Sequence, residues 1–191
     1  MDNNIEKLGY NWITAKSDEV DVVGDYYCQT RDIFQARLDK MVDNLLANNN
    51  IREEKTYLIS AVVGEIGNNS FDHNLGSWIN IIGIFFAYNF IDNELKIVLA
   101  DRGQGILKTL KRVKPELEND SEALQTAFTE RISGRAPENR GNGLKFSRES
   151  IKEENMRLVL TSGNARAELN RKMKIEKIEE NIKGCLAILT V

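Results

Sequence analysis

Three polar side chains recur every four residues in "SAVVGEIGNNSFDHN", residues 60–74. They are the Glu65 carboxylate, the Asn69 amide and the His73 imidazole. In a helix, residues four apart lie on the same face. A helical wheel that starts at Leu58 places all three within the apolar stripe, so we expect them to point toward the interior or a cleft. Because an unpaired buried carboxylate costs several kcal/mol, Glu65 then needs a partner.

Two interpretations of this helix remain open. In the first, the polar groups form a network with neighbouring backbone, or the helix end frays and lets His73 reach solvent. In the second, they line a ligand cleft, where Glu65 activates a water or a hydroxyl while the Asn69 amide oxygen coordinates Mg²⁺. His73 is the single histidine of the chain and has no cysteine near it in sequence, so a cleft or core position is favoured over a role as metal ligand.

A first glycine motif, "LADRGQGI", follows an apolar strand pattern. It places Asp101 at the strand end, with Gly103 and Gly105 at alternate positions and Ile106 after them. A carboxylate there can accept a hydrogen bond from an amino group, and the glycines let a flat ring lie against the backbone. The alternative is an ordinary turn after a strand.

A second glycine motif, "NRGNGLKFSRES", places Gly141 and Gly143 directly before a helical pattern. The free amides and the positive dipole end of such a helix form an anion site. Arg140, and also Arg135 and Lys145, would add positive charge. The alternative is a glycine-rich helix start without a ligand.

The elements that must position these motifs follow from hydrophobic periodicity. Thr30 precedes apolar residues at spacings of three and four, which predicts a helix that ends near "ANNN". A second helix is predicted over 51–73. Further helices are expected near "SEALQTAF" and from "GNGL", and β-branched and aromatic residues predict strands in "SWINIIGIFFAYNF", "ELKIVLAD", "RLVLTSG" and "GCLAILTV".

Two segments give no clear pattern. Residues 1–26 contain short apolar pieces that fit one or two edge strands or an N-terminal arm. As a hypothesis, an arm with strand character would exchange across a homodimer. Residues 165–183 begin with strand-like alternation and continue with helical spacing, so their conformation stays open.

Composition excludes several function classes. The 191 residues are 41% hydrophobic, enough for a sizeable core, and 26 basic against 29 acidic residues give a net charge of −3. Without a basic block, nucleic acid is not an expected partner. Neither a leader nor a membrane span is apparent, and Cys28 and Cys185 fit reduced thiols, so we expect a cytoplasmic protein.

The ordered set of motifs resembles the GHKL superfamily of ATP-binding domains, which includes gyrase B subunits, MutL proteins, heat-shock chaperones, histidine kinases and anti-sigma-factor kinases. "GEIGNNSFDH" resembles the N box, "DRGQGI" the first glycine box and "RGNGL" the second. The resemblance implies an α/β (α+β two-layer) sandwich of the Bergerat type. Its sheet would be mixed and mostly antiparallel, with helices on one face, over 27–191.

The resemblance also implies roles for single residues. Asn69 would hold Mg²⁺ at the phosphates of ATP, and Glu65 would position or deprotonate the nucleophile. Asp101 would bind the adenine amino group. The lid would span about 106–140. The remaining nucleotide contacts that the resemblance implies are Gly103, Gly105, Ile106, Arg140, Gly141, Gly143 and Leu144.

One position departs from the family pattern. Many relatives have Gly-Thr where this chain has Gly184-Cys185, and the threonine supports the adenine-binding aspartate. A thiol is a weaker hydrogen-bonding group, so nucleotide affinity is expected to fall unless Thr161 or Ser162 takes over the role.

Two classes of function are compatible with these motifs. As an enzyme, the chain would be a slow ATPase or an anti-sigma-like serine/threonine kinase that acts on a partner protein. As a binding module, it would use ATP to order a lid that contacts a partner, with little chemistry. We expect no upstream phosphoacceptor histidine and no transducer domain, hence a stand-alone ATP domain. The presence of Glu65 favours the enzyme.

Overall fold

The computed structural model describes residues 4–48, 51–91, 93–132 and 143–191. These ranges form six helices and five strands. In chain order they are α1 (Ile5–Thr14), β1 (Tyr27–Cys28), α2 (Arg31–Asn48), α3 (Glu53–Asn74), β2 (Ile84–Ile91), β3 (Glu94–Asp101), α4 (Ile106–Leu110), α5 (Asp120–Thr129), α6 (Gly143–Glu153), β4 (Arg157–Leu169) and β5 (Met173–Thr190).

The strands form one sheet in the order β1-β2-β3-β5-β4, and every neighbouring pair is antiparallel. β3 is the central strand, and its last residue, Asp101, lies opposite Cys185 on β5. The predicted class, an α/β sandwich with a mostly antiparallel sheet, is confirmed.

The main core lies between one face of the sheet and α2, α3, α5 and α6. Alternate residues of β2 and β3, such as Phe86, Ile97 and Leu99, point into it because successive strand residues face opposite sides. Phe34 of α2 packs edge-on against Phe86, and a Cβ at Gly67 of α3 would overlap the Phe34 ring. The close approach of α2 and α3 therefore depends on glycine at 67.

The opposite face of the sheet carries α1, which is the exception to the expectation of helices on one face. Ile5, Trp12 and Ile13 bury against Phe85 and Val98. The strand interpretation of residues 1–26 is wrong for 5–14, because these apolar residues recur at helical rather than alternating spacing. This helix also removes the strand on which the exchange hypothesis was based.

Arg102 fixes the end of α1. Its guanidinium donates to the carbonyls of Trp12 (2.7 Å), Ile13 (2.8 Å) and Ala15 (2.7 Å), and to Asn80 Oδ1 (3.1 Å). Burial lowers the pKa of Arg102. The free carbonyls and negative dipole end of α1 compensate the buried charge.

The other predicted elements are confirmed, with shifts at their ends. The Ile33 amide donates to Thr30 Oγ1 at 3.3 Å, as expected for the start of α2. The open segment 165–183 is the outer part of a long hairpin of β4 and β5, which closes where Leu169 pairs with Met173. Its mixed charges lie on exposed strand positions, which obscured the alternation.

The predicted lid is partly described. Its residues 106–132 include α4 and the expected helix near "SEALQTAF", which is α5, and Leu124 and Phe128 are buried in the main core. Residues 133–140 lie outside the described residues, so the lid stays a prediction. Among the helices of the described ranges, none is long and apolar enough to cross a membrane.

Candidate functional site

Asp101 occupies a buried position where β3 leaves the sheet, between α3 and β5. Its Oδ2 accepts a hydrogen bond from Ser70 Oγ at 2.8 Å. Its Oδ1 accepts from Asn74 Nδ2 at 3.2 Å and from the Gly103 amide at 2.9 Å. The carboxylate is therefore held by two side chains of α3 and by the turn that follows it.

Burial raises the pKa of Asp101, since a carboxylate is less stable away from water. The hydrogen bonds from Ser70, Gly103 and Asn74, and one from the Cys185 backbone, act in the opposite direction. A buried acceptor with several donors and a raised pKa is typical of functional carboxylates.

Asn74 is the unexpected member of this group. It is the last residue of α3 and is buried. Its Nδ2 also donates to the Ser70 carbonyl at 2.9 Å, and its Oδ1 accepts from the Gln104 amide at 2.9 Å. A Cβ at Gly103 would overlap the Asn74 amide, so the protein itself requires glycine there. The predicted contact of Gly103 with a base stays a prediction.

Gly105 and Ile106 lie at the start of α4, next to β4. Gly105 has a φ of +79°, which favours glycine, and the Ile106 amide donates to Ser162 Oγ at 3.0 Å. Ser162 in turn donates to the Gly184 carbonyl at 3.1 Å, and both Ser162 and Thr161 are buried. Ser162 therefore connects the first glycine motif to β5.

Cys185 lies between Ser162 and Asp101. Its Sγ donates to Ser162 Oγ at 3.6 Å. Burial raises the pKa of this thiol well above its usual range, and the neighbouring Asp101 carboxylate adds to the effect. Ser162 thus contacts the thiol that adjoins Asp101, and support of Asp101 by Ser162 or Thr161 stays a prediction.

The polar side chains of α3 occupy a different face from the one expected. The buried stripe of α3 is centred on Ile59, Val63 and Ile66, about a third of a turn from the origin of the wheel at Leu58. As a result Glu65 is exposed. Of the two positions expected for Glu65, the interior is wrong, because Leu58 lies at the margin of the stripe rather than at its centre, and the cleft stays a prediction.

The exposed flank that carries Glu65 faces the second glycine motif. A Cβ at Gly143, the first residue of α6, would overlap Glu65 Oε2, so the carboxylate lies directly against that backbone. Asn69 and His73 follow on the same flank and are half-buried. Burial lowers the pKa of His73, and the positive charge of Arg112 lowers it further.

The donor set on this flank fits a Mg²⁺ ion that is shared with a ligand. Within the described ranges, no group of three or more His, Cys, Asp or Glu side chains could hold a metal. An amide oxygen at Asn69 with a carboxylate one turn away, at Glu65, is the sparse oxygen set that Mg²⁺ uses when phosphates and waters supply its other ligands.

The structure brings six of the predicted site residues onto or against α3: Glu65, Asn69, His73, Asp101, Gly103 and Gly143. Leu144 packs against the apolar clusters of the core, and Lys145 is half-buried beside it on α6. Arg135, Arg140 and Gly141 lie outside the described residues. Ser70, Asn74, Arg102 and Gln104 were not predicted from the sequence. For Ser70 and Asn74 the available signal is a second polar stripe on α3, which coincides with the buried face.

Comparisons with known proteins find likeness among solved structures. No protein-family model matches this chain, and no curated protein matches it. The chain is similar to the crystal structure of the ATPase region of Saccharomyces cerevisiae topoisomerase II, at 13% sequence identity and a TM-score of 0.41. The match covers 68% of this chain and 36% of that one. At this level the comparison assigns no function to the chain.

Proposed function

We propose that this chain binds Mg²⁺-ATP as a GHKL-type domain and uses Glu65 to promote transfer of the terminal phosphate. The observation that carries the proposal is that α3 contacts both glycine motifs. Through Ser70 and Asn74 it holds Asp101, and through Glu65 it touches Gly143. One helix thus connects a buried acceptor with the start of a second helix.

At the first of these places, the proposed ligand is the base. The Asp101 carboxylate would accept a hydrogen bond from the exocyclic amino group of adenine. A hydrogen bond to a charged group is worth about 1.5–3 kcal/mol, and more is lost if a buried partner is left unpaired. Asp101 therefore provides both affinity and selectivity in this proposal.

At the second place, the proposed ligand is the triphosphate. The first amides of α6 would bind phosphate oxygens, since a helix start carries free N–H groups and a positive dipole end. Asn69 would supply an oxygen ligand to Mg²⁺. When bound, Mg²⁺ would draw negative charge from the phosphate oxygens.

Glu65 is the proposed general base. It would take a proton either from water, giving a slow ATPase, or from a Ser/Thr hydroxyl of a partner protein, giving a kinase. Its exposure suits a group that must meet an external nucleophile. Gly143 leaves its carboxylate room beside the phosphate site.

The exposure of Glu65 also supports a second candidate. A hydrated carboxylate could order water near Mg²⁺ without removing a proton, and the chain would then be a nucleotide-gated binding module for a protein partner. The two candidates differ in whether turnover depends on Glu65.

The experiment is calorimetric titration of ATP with Mg²⁺ and with a chelator, on wild type and Asn69→Ala. We expect Mg²⁺ to strengthen ATP binding by about tenfold or more in wild type and to have little effect in Asn69→Ala. Asn11→Ala, at an exposed position of α1, serves as the matched control. Equal Mg²⁺ dependence in wild type and Asn69→Ala would refute the role of Asn69.

Phosphate release and labelling then separate the activities. Release of phosphate from ATP by the pure chain would identify an ATPase, whereas transfer of labelled phosphate to a co-purified protein would identify a kinase. Tight binding with neither outcome would favour the binding module.

A further inference from the structure

Asn74 makes more hydrogen bonds around Asp101, the proposed base-binding carboxylate, than a residue that only fills the core requires. It is 4% exposed, and both ends of its amide are used. The Nδ2 group donates to Asp101 Oδ1 and to the Ser70 carbonyl, while Oδ1 accepts from the Gln104 amide. One side chain therefore holds the carboxylate and the turn after it in a fixed relation.

The side chain of Gln104 also holds this turn, through hydrogen bonds of its own. Its Nε2 donates to the His73 carbonyl at 2.8 Å and to Thr109 Oγ1 at 3.1 Å. The end of α3, the first glycine motif and α4 are thereby linked around Asn74. A small movement of this amide would shift Asp101 relative to the glycine backbone.

The two carboxylate oxygens of Asp101 receive hydrogen bonds from different donors. Oδ1 receives two donors, Asn74 Nδ2 and the Gly103 amide, and a carboxylate oxygen has about two acceptor sites. Oδ2 receives Ser70 Oγ at 2.8 Å. Asn74 thus holds the oxygen that faces the turn, and Ser70 of the same helix holds the other.

We infer that Asn74 is a positioning residue that sets the preference of this site for a base with an exocyclic amino group over a base with an oxo group. The inference rests on the proposed function. An amino group can donate to the Asp101 carboxylate, whereas an oxo group would place an acceptor against it. A site built for a donor rejects an analogue that lacks it far more strongly than an apolar pocket does.

The test compares ATP with inosine triphosphate, which carries an oxo group in place of the amino group. Both are titrated calorimetrically into wild type, Asn74→Ala and Asn74→Asp. Asn74→Asp keeps the size and an acceptor for the Gln104 amide but replaces the donor to Asp101 with a carboxylate. Thr56→Val is the control, since Thr56 is a buried polar residue of α3 whose Oγ1 has no hydrogen-bond partner among the described residues.

We expect wild type and Thr56→Val to prefer ATP by about 100-fold or more. Both Asn74 variants should lose at least about tenfold of that preference while their affinity for inosine triphosphate changes little. A purely structural role would weaken both nucleotides equally and leave the ratio unchanged, which would overturn the inference.

The remaining outcomes are also decisive. If wild type binds neither nucleotide, the proposed function fails and this inference fails with it. If wild type prefers ATP and the Asn74 variants keep the same ratio, only this inference fails. If neither Asn74 variant folds, Asn74 is a folding residue and the assignment as a selectivity residue is wrong.

Discussion

The two ends of the proposed nucleotide site differ in how completely the protein satisfies their polar groups. At the base end, Asp101 is buried and receives hydrogen bonds from Ser70, Asn74 and Gly103. At the phosphate end, Glu65 is exposed, and no hydrogen bond joins the side chain of Asn69 to another described residue. The carboxylate proposed to recognise the base is thus held in place by the protein, whereas the groups proposed for chemistry remain accessible to a ligand.

This difference separates two kinds of mutational effect. Buried polar groups that satisfy one another are costly to disturb, so changes at the base end should alter folding and binding together. Groups without such internal partners contribute little to stability, so changes at the phosphate end should alter ligand binding or turnover rather than folding.

The largest expected effect is at the phosphate end. Glu65→Gln should lower phosphate release or transfer by about 100-fold or more, the usual contribution of a general base. ATP affinity and the urea midpoint should stay within error of wild type, because Glu65 is exposed. Steady-state turnover and calorimetry measure the two quantities.

Glu53→Gln, at the exposed start of the same helix, is the control for this substitution. Unchanged turnover in Glu65→Gln would contradict the role of Glu65 as the general base.

The next effect tests how tightly the base end is built. Gly184 has a φ of +99°, and a Cβ there would overlap the Asp101 carbonyl oxygen. Gly184→Ala should cost about 3 kcal/mol of unfolding free energy, from backbone strain and the clash together. Urea unfolding measures it.

Gly76 provides a matched control for the strain alone. It has a φ of +70°, and a Cβ added there would meet no other atom within 4 Å, so Gly76→Ala should cost only about 1 kcal/mol. Equal losses at the two positions would mean that the contact of Gly184 with Asp101 is unimportant.

A smaller effect concerns the other face of the sheet. Arg102→Gln removes the charged donor from the carbonyls of Trp12, Ile13 and Ala15, and should cost about 2 kcal/mol. Hydrogen exchange should show the loss in the amides of α1 first. Arg157→Gln, which breaks an exposed pair with Glu168, should cost about 0.5 kcal/mol or less. Unaltered exchange in α1 would contradict the role of Arg102.

The smallest effect concerns His73, which lies between the two ends. Burial and the Arg112 charge lower the pKa of His73 below its ordinary value of 6.5. The unfolded chain then binds this proton more readily than the folded one, so stability is retained above pH 6.5 and falls as the pH drops below it. Urea unfolding at pH 7.5 and at about pH 5.5 should show a larger loss in wild type than in His73→Gln. An equal loss of stability in wild type and His73→Gln would contradict the lowered pKa of His73.

The sequence predicted which segments form helices and strands better than it predicted which side of a helix is buried. Periodicity located α2 and α3, and β-branched residues located β2 and β3, because these patterns are local. It failed on α1, a helix of ten residues whose apolar pattern is too short to be distinguished from that of edge strands, and on the outer hairpin of β4 and β5, whose exposed charges hide the alternation. The fold class followed from the resemblance.

The motifs predicted a site at Asp101 and the glycines around it, and the roles of these residues stay predictions. The wheel that started at Leu58 placed Glu65 in the interior or in a cleft, whereas the side chain is exposed. Ser70 and Asn74 were missed because the sequence alone does not show whether a polar residue on a buried helix face takes part in a hydrogen-bond network. Only tertiary structure shows that both side chains meet Asp101.

The most direct test of the central claim is calorimetric titration of Mg²⁺-ATP into wild type and Asp101→Asn. Asp39→Asn, an exposed carboxylate of α2, is the control, and circular dichroism checks that each variant folds. We predict that wild type and Asp39→Asn bind ATP with similar affinity and that Asp101→Asn loses about 100-fold or more. Equal ATP binding by folded Asp101→Asn and wild type would contradict the assignment of Asp101 as the adenine-binding carboxylate.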